Sequence, residues 1–292
     1  MDRCGAAHRR REAFNAAARE SLDEWAMSLA PVSAGASVLD LGCGAGKLTL
    51  PYARAVGKAG RVLGVDLAPD SIAELLSRSA REGLTNVSAR VGNLDDVLEN
   101  VQCAARPAED CACNELHALP AANPRGQDAR DTAFANPRGQ DAHDTATKFD
   151  LIVSSYAIYY AKDMVGLIRS LASRLTEGGR VFVCGPGAGT NREMDELARQ
   201  AAPGAELPPP LADFISLEQM AAASTAYAKF DTHRLGNAVR FETADALLAW
   251  WRNHSMYAPA ADEAVARAAR EHFAEHGEFL LTKNVLGVLF CR

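Results

Sequence analysis

The chain has 292 residues, enough for one large domain or two small ones, and its 48% hydrophobic and 23% charged content is ordinary for a globular protein. A formal net charge of −6 argues against a nucleic-acid-binding protein, because such proteins normally carry a basic surplus. No apolar run approaches the roughly 18 residues of a membrane span, and the N-terminus lacks the apolar core of a signal peptide. We therefore expect a cytoplasmic protein that does not bind membranes.

Apolar residues near the start of the chain recur with helical spacing. They are separated by four, four, three and four positions, which places them on one face of an amphipathic helix. The stripe consists of Phe14, Ala18, Leu22, Trp25 and Leu29. Pro31 predicts the end of this helix, so we expect residues 1–35 to form a helical cap.

From residue 36 onward, short strand-like runs alternate with helix-like segments. Strands are predicted at 37–41, 61–66, 87–92, 149–155 and 180–185. Helices are predicted between them at 45–56, 70–83, 95–101 and 163–179. In the second helix, Ser71 and Glu74 have the spacing of a capping box, and Gly83 is a stop signal. Such alternation predicts a parallel sheet with helices on both faces.

The segment 103–147 interrupts this alternation. It holds little apolar periodicity, and within it residues 123–133 and 136–146 are nearly identical, with Arg130 replaced by His143 in the second copy. Such a composition has too few large apolar residues to offset the entropy of ordering. We interpret it as a flexible insertion carrying a duplication.

The most informative stretch is "VLDLGCGAGKL" at residues 38–48. Asp40 lies near the end of the first predicted strand, and Gly42, Gly44 and Gly46 follow before a helix. Ligands of open parallel sheets bind beyond the carboxyl ends of the strands, where glycines allow close approach of the backbone. A dinucleotide fold would require G-x-G-x-x-G for a pyrophosphate, whereas this loop reads G-x-G-x-G.

Polar residues at neighbouring strand ends indicate which ligand fits. Asp40 would repel a pyrophosphate but could accept a hydrogen bond from an amino group. Asp66 ends the second strand, where an acidic residue typically binds ribose hydroxyls, and Asn93 after the third strand could bind an adenine edge. These features describe an adenosine that carries an amino acid and no phosphate, which is S-adenosylmethionine.

With these features the chain resembles a class I S-adenosylmethionine-dependent methyltransferase of the ubiquinone/menaquinone-type small-molecule group. The resemblance covers residues 36–186 through five ordered motifs: "VLDLGCGAG", "VLGVDLAPD", "VGNLDD", "FDLIVSSYAIYY" and "LTEGGRVFVCG". It implies a Rossmann-like, doubly wound α/β fold with a seven-stranded sheet, mostly parallel with an antiparallel last strand, plus a helical lid. Residues 36–292 would form this domain, with lid elements at 187–228 and 243–276.

The resemblance also implies roles for particular residues. The backbone of Gly42, Cys43, Gly44 and Gly46 would lie along the methionine part of the cofactor, and Ser154 is a further candidate for cofactor binding. Asp66 would bind both ribose hydroxyls, while Leu67 and Leu94 would sandwich the adenine. The position of Asn93 is often an aspartate in the family.

Candidates for contact with the methyl acceptor follow the fourth strand and lie on the lid. Tyr156 and Tyr160 come just after the strand, where "SSY" replaces the Pro-Pro motif of nucleic-acid and glutamine N-methyltransferases. His254 shares a predicted helix face with Leu247, Trp250 and Trp251. That stripe is either a core stripe with an edge histidine, or two aromatic pocket walls beside a general base.

We expect a methyltransferase that acts on a small-molecule acceptor. The alternatives are a regulatory protein that binds S-adenosylmethionine without turnover, and a protein methyltransferase. No metal site is expected, because the spacing of Cys103, Cys111, Cys113 and His117 matches no zinc template well. The sequence indicates neither the oligomeric state nor which atom is methylated.

Overall fold

The computed structural model describes residues 21–96 and 147–292. Within these ranges a seven-stranded sheet forms the centre of the molecule. Its strands are β1 (Ser37–Leu41), β2 (Arg61–Asp66), β3 (Val87–Val91), β4 (Phe149–Ser155), β5 (Leu175–Pro186), β6 (Lys229–Phe241) and β7 (Phe279–Cys291).

The spatial order of the strands is β3-β2-β1-β4-β5-β7-β6. The first five strands pair in parallel, whereas β7 is antiparallel to both of its neighbours. The chain reverses direction across the sheet between β1 and β4, which creates a topological switch point at their carboxyl ends. The predicted Rossmann-like sheet with an antiparallel last strand is confirmed.

Helices cover the two faces of the sheet. They are α1 (Leu22–Leu29), α2 (Thr49–Val56), α3 (Pro69–Arg81), α4 (Met164–Leu171), α5 (Arg192–Ala201), α6 (Leu217–Ser224), α7 (Ala244–Arg252) and α8 (Asp262–His276). Apolar side chains of α1 and α2 pack on one face, and those of α4 and α6 pack on the other. Helices α5, α7 and α8 form a separate apolar cluster with the far ends of β6 and β7.

The N-terminal stripe is confirmed over its described half. Trp25 of α1 packs edge-on against Phe182 of β5, with ring centroids 5.9 Å apart. Phe14 and Ala18 lie outside the described residues, as do the insertion up to residue 146 and the predicted helix beyond Asp96.

The predicted capping box of α3 is wrong. The helix begins at Pro69, two residues before Ser71, so Ser71 lies buried within the first turn and cannot cap it. Proline is well suited to the first helical position because its φ is preset and its missing N–H would have no helical partner there. A genuine capping box occurs in α6, between Ser216 and Gln219.

Two other predicted helices are too long. The first begins only at Thr49, because Gly46 has φ +91° and prolongs the glycine loop. The helix predicted at 163–179 ends at Leu171, and β5 starts already at Leu175. The pairing of β4 with β5 shifts register between Phe149 and Leu151, and this shift accommodates the polar start of β5.

Candidate active site

The glycine loop at the carboxyl end of β1 is held in place by backbone hydrogen bonds. Gly42 and Cys43 both donate their N–H to the carbonyl of Val65 in β2, at 2.7 and 3.1 Å. Gly44 donates its N–H to Oδ2 of Asp66 at 2.8 Å. The predicted motif residues of β1 and β2 are therefore brought together at one edge of the sheet.

Asp66 is oriented by two backbone donors. Besides Gly44, the N–H of Ala68 binds its other oxygen, Oδ1, at 2.9 Å. Each carboxylate oxygen has a second lone pair, so the fixed carboxylate can still accept two hydroxyl groups. The side chain of the next residue, Leu67, is 71% exposed beside it. A two-acceptor carboxylate next to an apolar side chain fits the ribose and adenine of S-adenosylmethionine.

Two glycines of the loop are required by packing. A Cβ on Gly42 would stand 2.0 Å from the Cβ of Ala157 in the loop after β4. A Cβ on Gly46 would stand 2.4 Å from Leu75 of α3. Both also have positive φ, so an L side chain there would be strained as well as crowded.

The Cys43 side chain points away from the loop's open side. Its sulfur would lie 2.8 Å from a Cβ on Gly64, and it packs with Leu50, Ile72 and Leu75. Burial raises the pKa of this thiol. Any contact of Cys43 with a cofactor would therefore come from its backbone.

Asp40 is 2% exposed and lies beneath the loop. Its Oδ2 accepts a hydrogen bond from Thr49 Oγ1 at 2.6 Å. Burial, against the opposing Thr49 hydrogen bond and with a smaller contribution from the charge of Asp66, raises the pKa of Asp40 to about 7. Thr49, which the sequence analysis did not single out, is the group that orients Asp40.

The remaining predicted cofactor residues border this site. Asn93 accepts a hydrogen bond from the N–H of Asp95 at 3.2 Å, which shapes the turn after β3. Leu94 is half-buried against the core. Ser154 is buried and donates its hydroxyl to the carbonyl of Leu41 at 2.8 Å, so it ties the ends of β4 and β1 together at the switch point.

The aromatic residues after β4 lie in different environments. Tyr156 has φ 55°, donates its N–H to the carbonyl of Cys184, and packs in the core between β4 and β5. Burial raises the pKa of its hydroxyl, so this group is a hydrogen-bond donor and not a base. Tyr160 is 67% exposed, and its ring lies 4.7 Å from that of Tyr159.

His254 lies beyond the end of α7, in a turn. Its ring nevertheless stacks on that of Trp250, with centroids 4.6 Å apart. Leu247, Trp250 and Trp251 are buried in the cluster of α5, α7 and α8, as expected of a core stripe. The structure therefore places His254 at the edge of an apolar cluster, where it meets polar groups that the sequence did not indicate.

Two of those polar groups are Asn191 and Lys283. Asn191 precedes α5 with φ 60°, and its Nδ2 lies 3.4 Å from Nε2 of His254. Lys283 of β7 donates to Oδ1 of Asn191 at 2.7 Å. The only sequence signal for this pair is the polar triplet Thr282–Asn284, which interrupts the apolar run of β7.

Across residues 21–96 and 147–292 no group of His, Cys, Asp and Glu side chains is arranged to bind a metal ion. The Cys103, Cys111, Cys113 and His117 set lies outside the described residues. In the same ranges, no helix is long and apolar enough to cross a membrane.

Comparison with known proteins identifies the family. A family model described as "Methyltransferase domain" matches residues 7–254. Aklanonic acid methyltransferase from a Streptomyces species is 28% identical over 152 residues, which cover 52% of this chain and 49% of that protein. A 23S rRNA uracil C5-methyltransferase from Acinetobacter baylyi is 37% identical over 73 residues, or 25% of this chain and 16% of that protein.

A solved structure supports the fold. The YcgJ protein of Bacillus has a TM-score of 0.53 at 15% identity, with 92% of this chain and 97% of that chain covered. The aligned regions span half or less of the two curated relatives, so those relatives do not establish the acceptor. The family match over most of the chain shows that the chain belongs to the class I S-adenosylmethionine-dependent methyltransferases, and the glycine loop with the fixed carboxylate of Asp66 agrees with this.

Proposed function

We propose that this methyltransferase acts on a small, apolar or aromatic acceptor molecule. The observation that carries the proposal is the aromatic cover over the carboxyl end of β5. A Cβ on Gly185 would stand 2.8 Å from the ring of Phe214 and 2.9 Å from that of Tyr159. The rings of Tyr159 and Phe214 lie 5.9 Å apart. Aromatic side chains at this edge favour a flat apolar ligand.

The chemistry requires little of the protein beyond alignment. Bound S-adenosylmethionine supplies an electrophilic methyl group on a sulfonium that leaves as a neutral thioether. The side chains around the acceptor therefore have to orient it and exclude water. A base is needed only where the accepting atom must lose a proton. Tyr156, Tyr160 and His254 are our candidates for contact with the acceptor.

A first alternative is an RNA acceptor, favoured by the similarity to the rRNA uracil methyltransferase. Methylation at a pyrimidine C5 position commonly needs a cysteine nucleophile, which must be a thiolate. Of the three described cysteines, Cys43 and Cys184 are buried, and burial raises the pKa of both thiols. Cys291 is only partly buried, but it pairs with Arg180 of β5, away from the carboxyl ends of the strands. Together with the net charge of −6, this favours a small molecule over RNA.

Two observations support a small acceptor further. The first curated relative is named for a small organic acid, aklanonic acid. The end of β4 and the residue that follows it, Ser154, Ser155 and Tyr156, stand where the nucleic-acid and glutamine N-methyltransferases have their Pro-Pro motif. A protein acceptor or a regulatory role without turnover would require a different explanation for the aromatic cover.

The test is transfer of radiolabelled methyl from S-adenosylmethionine into an extract of the source cells. The extract is separated into small molecules, RNA and protein after the reaction, and Asp66→Ala protein serves as the control. We expect label in the small-molecule fraction with the unaltered chain and little with the control. Label confined to RNA or protein, or no label above the control, would overturn the proposal.

A further inference from the structure

The segment that joins α5 to α6 links two apolar clusters of the molecule. It comprises residues 203–215, and we call it the α5–α6 connection. Near its start, Ala205 and Leu207 pack against the cluster of α5, α7 and α8. Near its end, Ile215 is fully buried in the cluster that α4 and α6 form on one face of the sheet. The connection is therefore anchored at both of its ends.

Backbone hydrogen bonds hold the connection against the carboxyl end of β5. The N–H of Phe214 donates to the carbonyl of Pro186 at 3.0 Å, and the N–H of Gly189 donates to the carbonyl of Leu211 at 3.3 Å. Because β5 runs parallel to β4 and β1, its carboxyl end lies at the same edge of the sheet as the glycine loop. The connection thus covers the ligand-binding edge one strand away from β4, a lateral distance of about 5 Å.

Asp213 of the connection is fixed from two sides. Its Oδ1 accepts hydrogen bonds from the N–H of Ala188 at 2.8 Å and from Nη1 of Arg234 at 2.9 Å, and its Oδ2 accepts one from Nη2 of Arg234 at 2.6 Å. The Arg234 guanidinium holds the pKa of this carboxyl below its usual value. An exposed ion pair adds little to stability, but a bidentate pair fixes an orientation. Strand β6 therefore determines where the residue before Phe214 lies.

The first half of the connection cannot easily compensate for a displacement of the second half. Three consecutive prolines, residues 208–210, have preset φ angles and stiffen the chain. Arg199 of α5 donates from Nη2 to the carbonyl of Pro208 at 2.5 Å, which ties the proline run to that helix. The placement of residues 211–215 consequently depends on the contacts of Asp213 and on the buried Ile215.

Phe214 and Tyr159 lie together on the backbone of Gly185. A Cβ on Gly185 would stand 2.8 Å from the ring of Phe214 and 2.9 Å from that of Tyr159. The two rings are tilted by 55°, so a flat aromatic molecule can meet one face to face and the other edge to face. Gly185 directly follows Cys184, which pairs with Ser155 at the end of β4. The ring pair is therefore beside the strand that ends at the switch point.

We propose that Phe214 selects flat aromatic acceptors, and that Arg234 positions Phe214 through Asp213. This inference rests on the proposed function, since it names the residues that restrict the acceptor of that reaction. Phe214 contacts the acceptor, whereas Asp213 and Arg234 are positioning residues that act through the ring. A saturated molecule with the same carbon skeleton is thicker and offers no ring face, so it gains less from Phe214.

Calorimetric titration of the protein with bound S-adenosylhomocysteine tests the selection. The probes are 2-naphthol and decahydro-2-naphthol, which share a carbon skeleton and a hydroxyl group but differ in flatness. We expect the unaltered chain to prefer 2-naphthol by about tenfold, because each aromatic pair contributes about two- to tenfold in affinity and two rings are offered. Phe214→Leu keeps an apolar side chain and removes one ring, so it should lower this preference by about threefold or more.

A double-variant comparison tests the positioning. Arg234→Met keeps the aliphatic stem, removes the guanidinium, and should lower the preference for 2-naphthol as Phe214→Leu does. The variant with both changes should lose no more preference than Phe214→Leu alone, because Arg234 acts only through the ring. Arg240→Met is the matched control and should keep the preference. Arg240 lies on the same strand, is similarly exposed, and pairs with Glu278.

Amide hydrogen exchange gives a second measurement that needs no acceptor. The N–H groups of Ala188 and Phe214 both donate across the contact between β5 and the connection. Their exchange should be faster in Arg234→Met than in the unaltered chain or in Arg240→Met. Melting temperature and affinity for S-adenosylhomocysteine are measured for each variant to recognise a folding defect. Asp213→Asn keeps an oxygen for Ala188 and removes the charge, so it carries the test if Arg234→Met is unstable.

Several results would overturn the inference. Equal affinity of the unaltered chain for the two probes, or a preference that persists in Phe214→Leu, would refute selection by Phe214. Unchanged preference or unchanged amide exchange in Arg234→Met, or an equal loss in Arg240→Met, would refute the positioning. Methyl transfer to a small molecule by a chain without preference for 2-naphthol would refute this inference and leave the proposed function intact, whereas label confined to RNA or protein would refute the proposed function itself.

Discussion

The two halves of the sheet stabilise their polar groups in different ways. Around the glycine loop, side chains bind the backbone of neighbouring motifs: Asp66 holds Gly44, and Ser154 holds Leu41. Around β6 and β7, polar side chains bind one another across long separations, as Lys283 and Asn191 do over 92 positions. The first half therefore has a fixed binding surface, whereas the second half has a specific polar cluster surrounded by helices.

We infer that the difference reflects what each half has to recognise. All members of the family bind one cofactor, and a surface built from backbone and short motifs suits an invariant ligand. Acceptors differ between members, and side chains on separate helices and strands can change independently. The following variants break or sharpen this contrast.

The largest effect is expected from Gly42→Ala in the glycine loop. The new Cβ would overlap Ala157 in a left-handed residue, adding about 1–2 kcal/mol of backbone strain and about 1–3 kcal/mol of overpacking. Gly83→Ala is the control, because its φ is +67° but nothing lies within 4 Å of the added Cβ. Urea unfolding should show a clearly larger loss for Gly42→Ala, and equal losses would contradict the packing argument.

The second effect concerns pH and Asp40. Its folded-state pKa of about 7 lies above the value of 3.8 for an exposed aspartate, so the folded protein binds this proton more tightly. Its contribution to stability is therefore present at acid pH and is lost as the pH rises from about 4 through 7, by on the order of 1 kcal/mol per unit. Asp40→Asn should remove this trend relative to the unaltered protein.

Unfolding free energies of both proteins between about pH 5 and 8 provide the measurement. The difference between the two unfolding free energies should shift in favour of Asp40→Asn up to about pH 7 and then level off. Asp70→Asn, an exposed aspartate at the start of α3, serves as the control. A difference that is independent of pH would show that Asp40 is ionised throughout the range.

The third effect is on cofactor affinity. Asp66→Ala removes the two oxygens expected to accept the ribose hydroxyls and also frees the N–H groups of Gly44 and Ala68. We expect S-adenosylmethionine binding to weaken tenfold or more, equivalent to about 1.4 kcal/mol. Calorimetric titration measures this, with Asp70→Ala as the control. Unchanged affinity would refute the assignment of Asp66.

The sequence predicted the half around the glycine loop better than the half around β6 and β7 for a physical reason. The glycine loop after β1 and Asp66 at the end of β2 are each a short motif at a strand end, and the parallel pairing of β1 with β2 is enough to bring them together. Helix boundaries were misjudged where one residue outweighs the pattern, as Gly46 and Pro69 do. The pairing of Lys283 with Asn191 depends on the register of β7 and the path after β5, which no local pattern encodes.

The smallest effect is expected from removing the duplicated insertion, which lies outside the described residues. The chain re-enters the sheet at the amino end of β4, where Ser37 Oγ donates to the carbonyl of Lys148 at 3.1 Å and Ser37 N–H binds Asp150. Ligands bind at the opposite, carboxyl edge. Longer connections cost little, about 0.6 kcal/mol for each doubling of length, so the insertion needs no functional role to persist.

We therefore expect that replacing residues 106–146 with a linker of about eight Gly and Ser residues leaves the fold and cofactor affinity essentially unchanged. Together with residues 97–105, such a linker reaches well beyond the length of a strand, at up to about 3.3 Å per residue. Circular dichroism, thermal melting and titration with S-adenosylmethionine provide the measurement.

A scrambled insertion of the same length and composition is the matched control. Loss of soluble protein or of cofactor binding in the shortened chain, but not in the scrambled one, would show that the segment's length matters to the working structure. Loss in both would mean that its sequence is recognised, and either result would attach the insertion to one of the two halves.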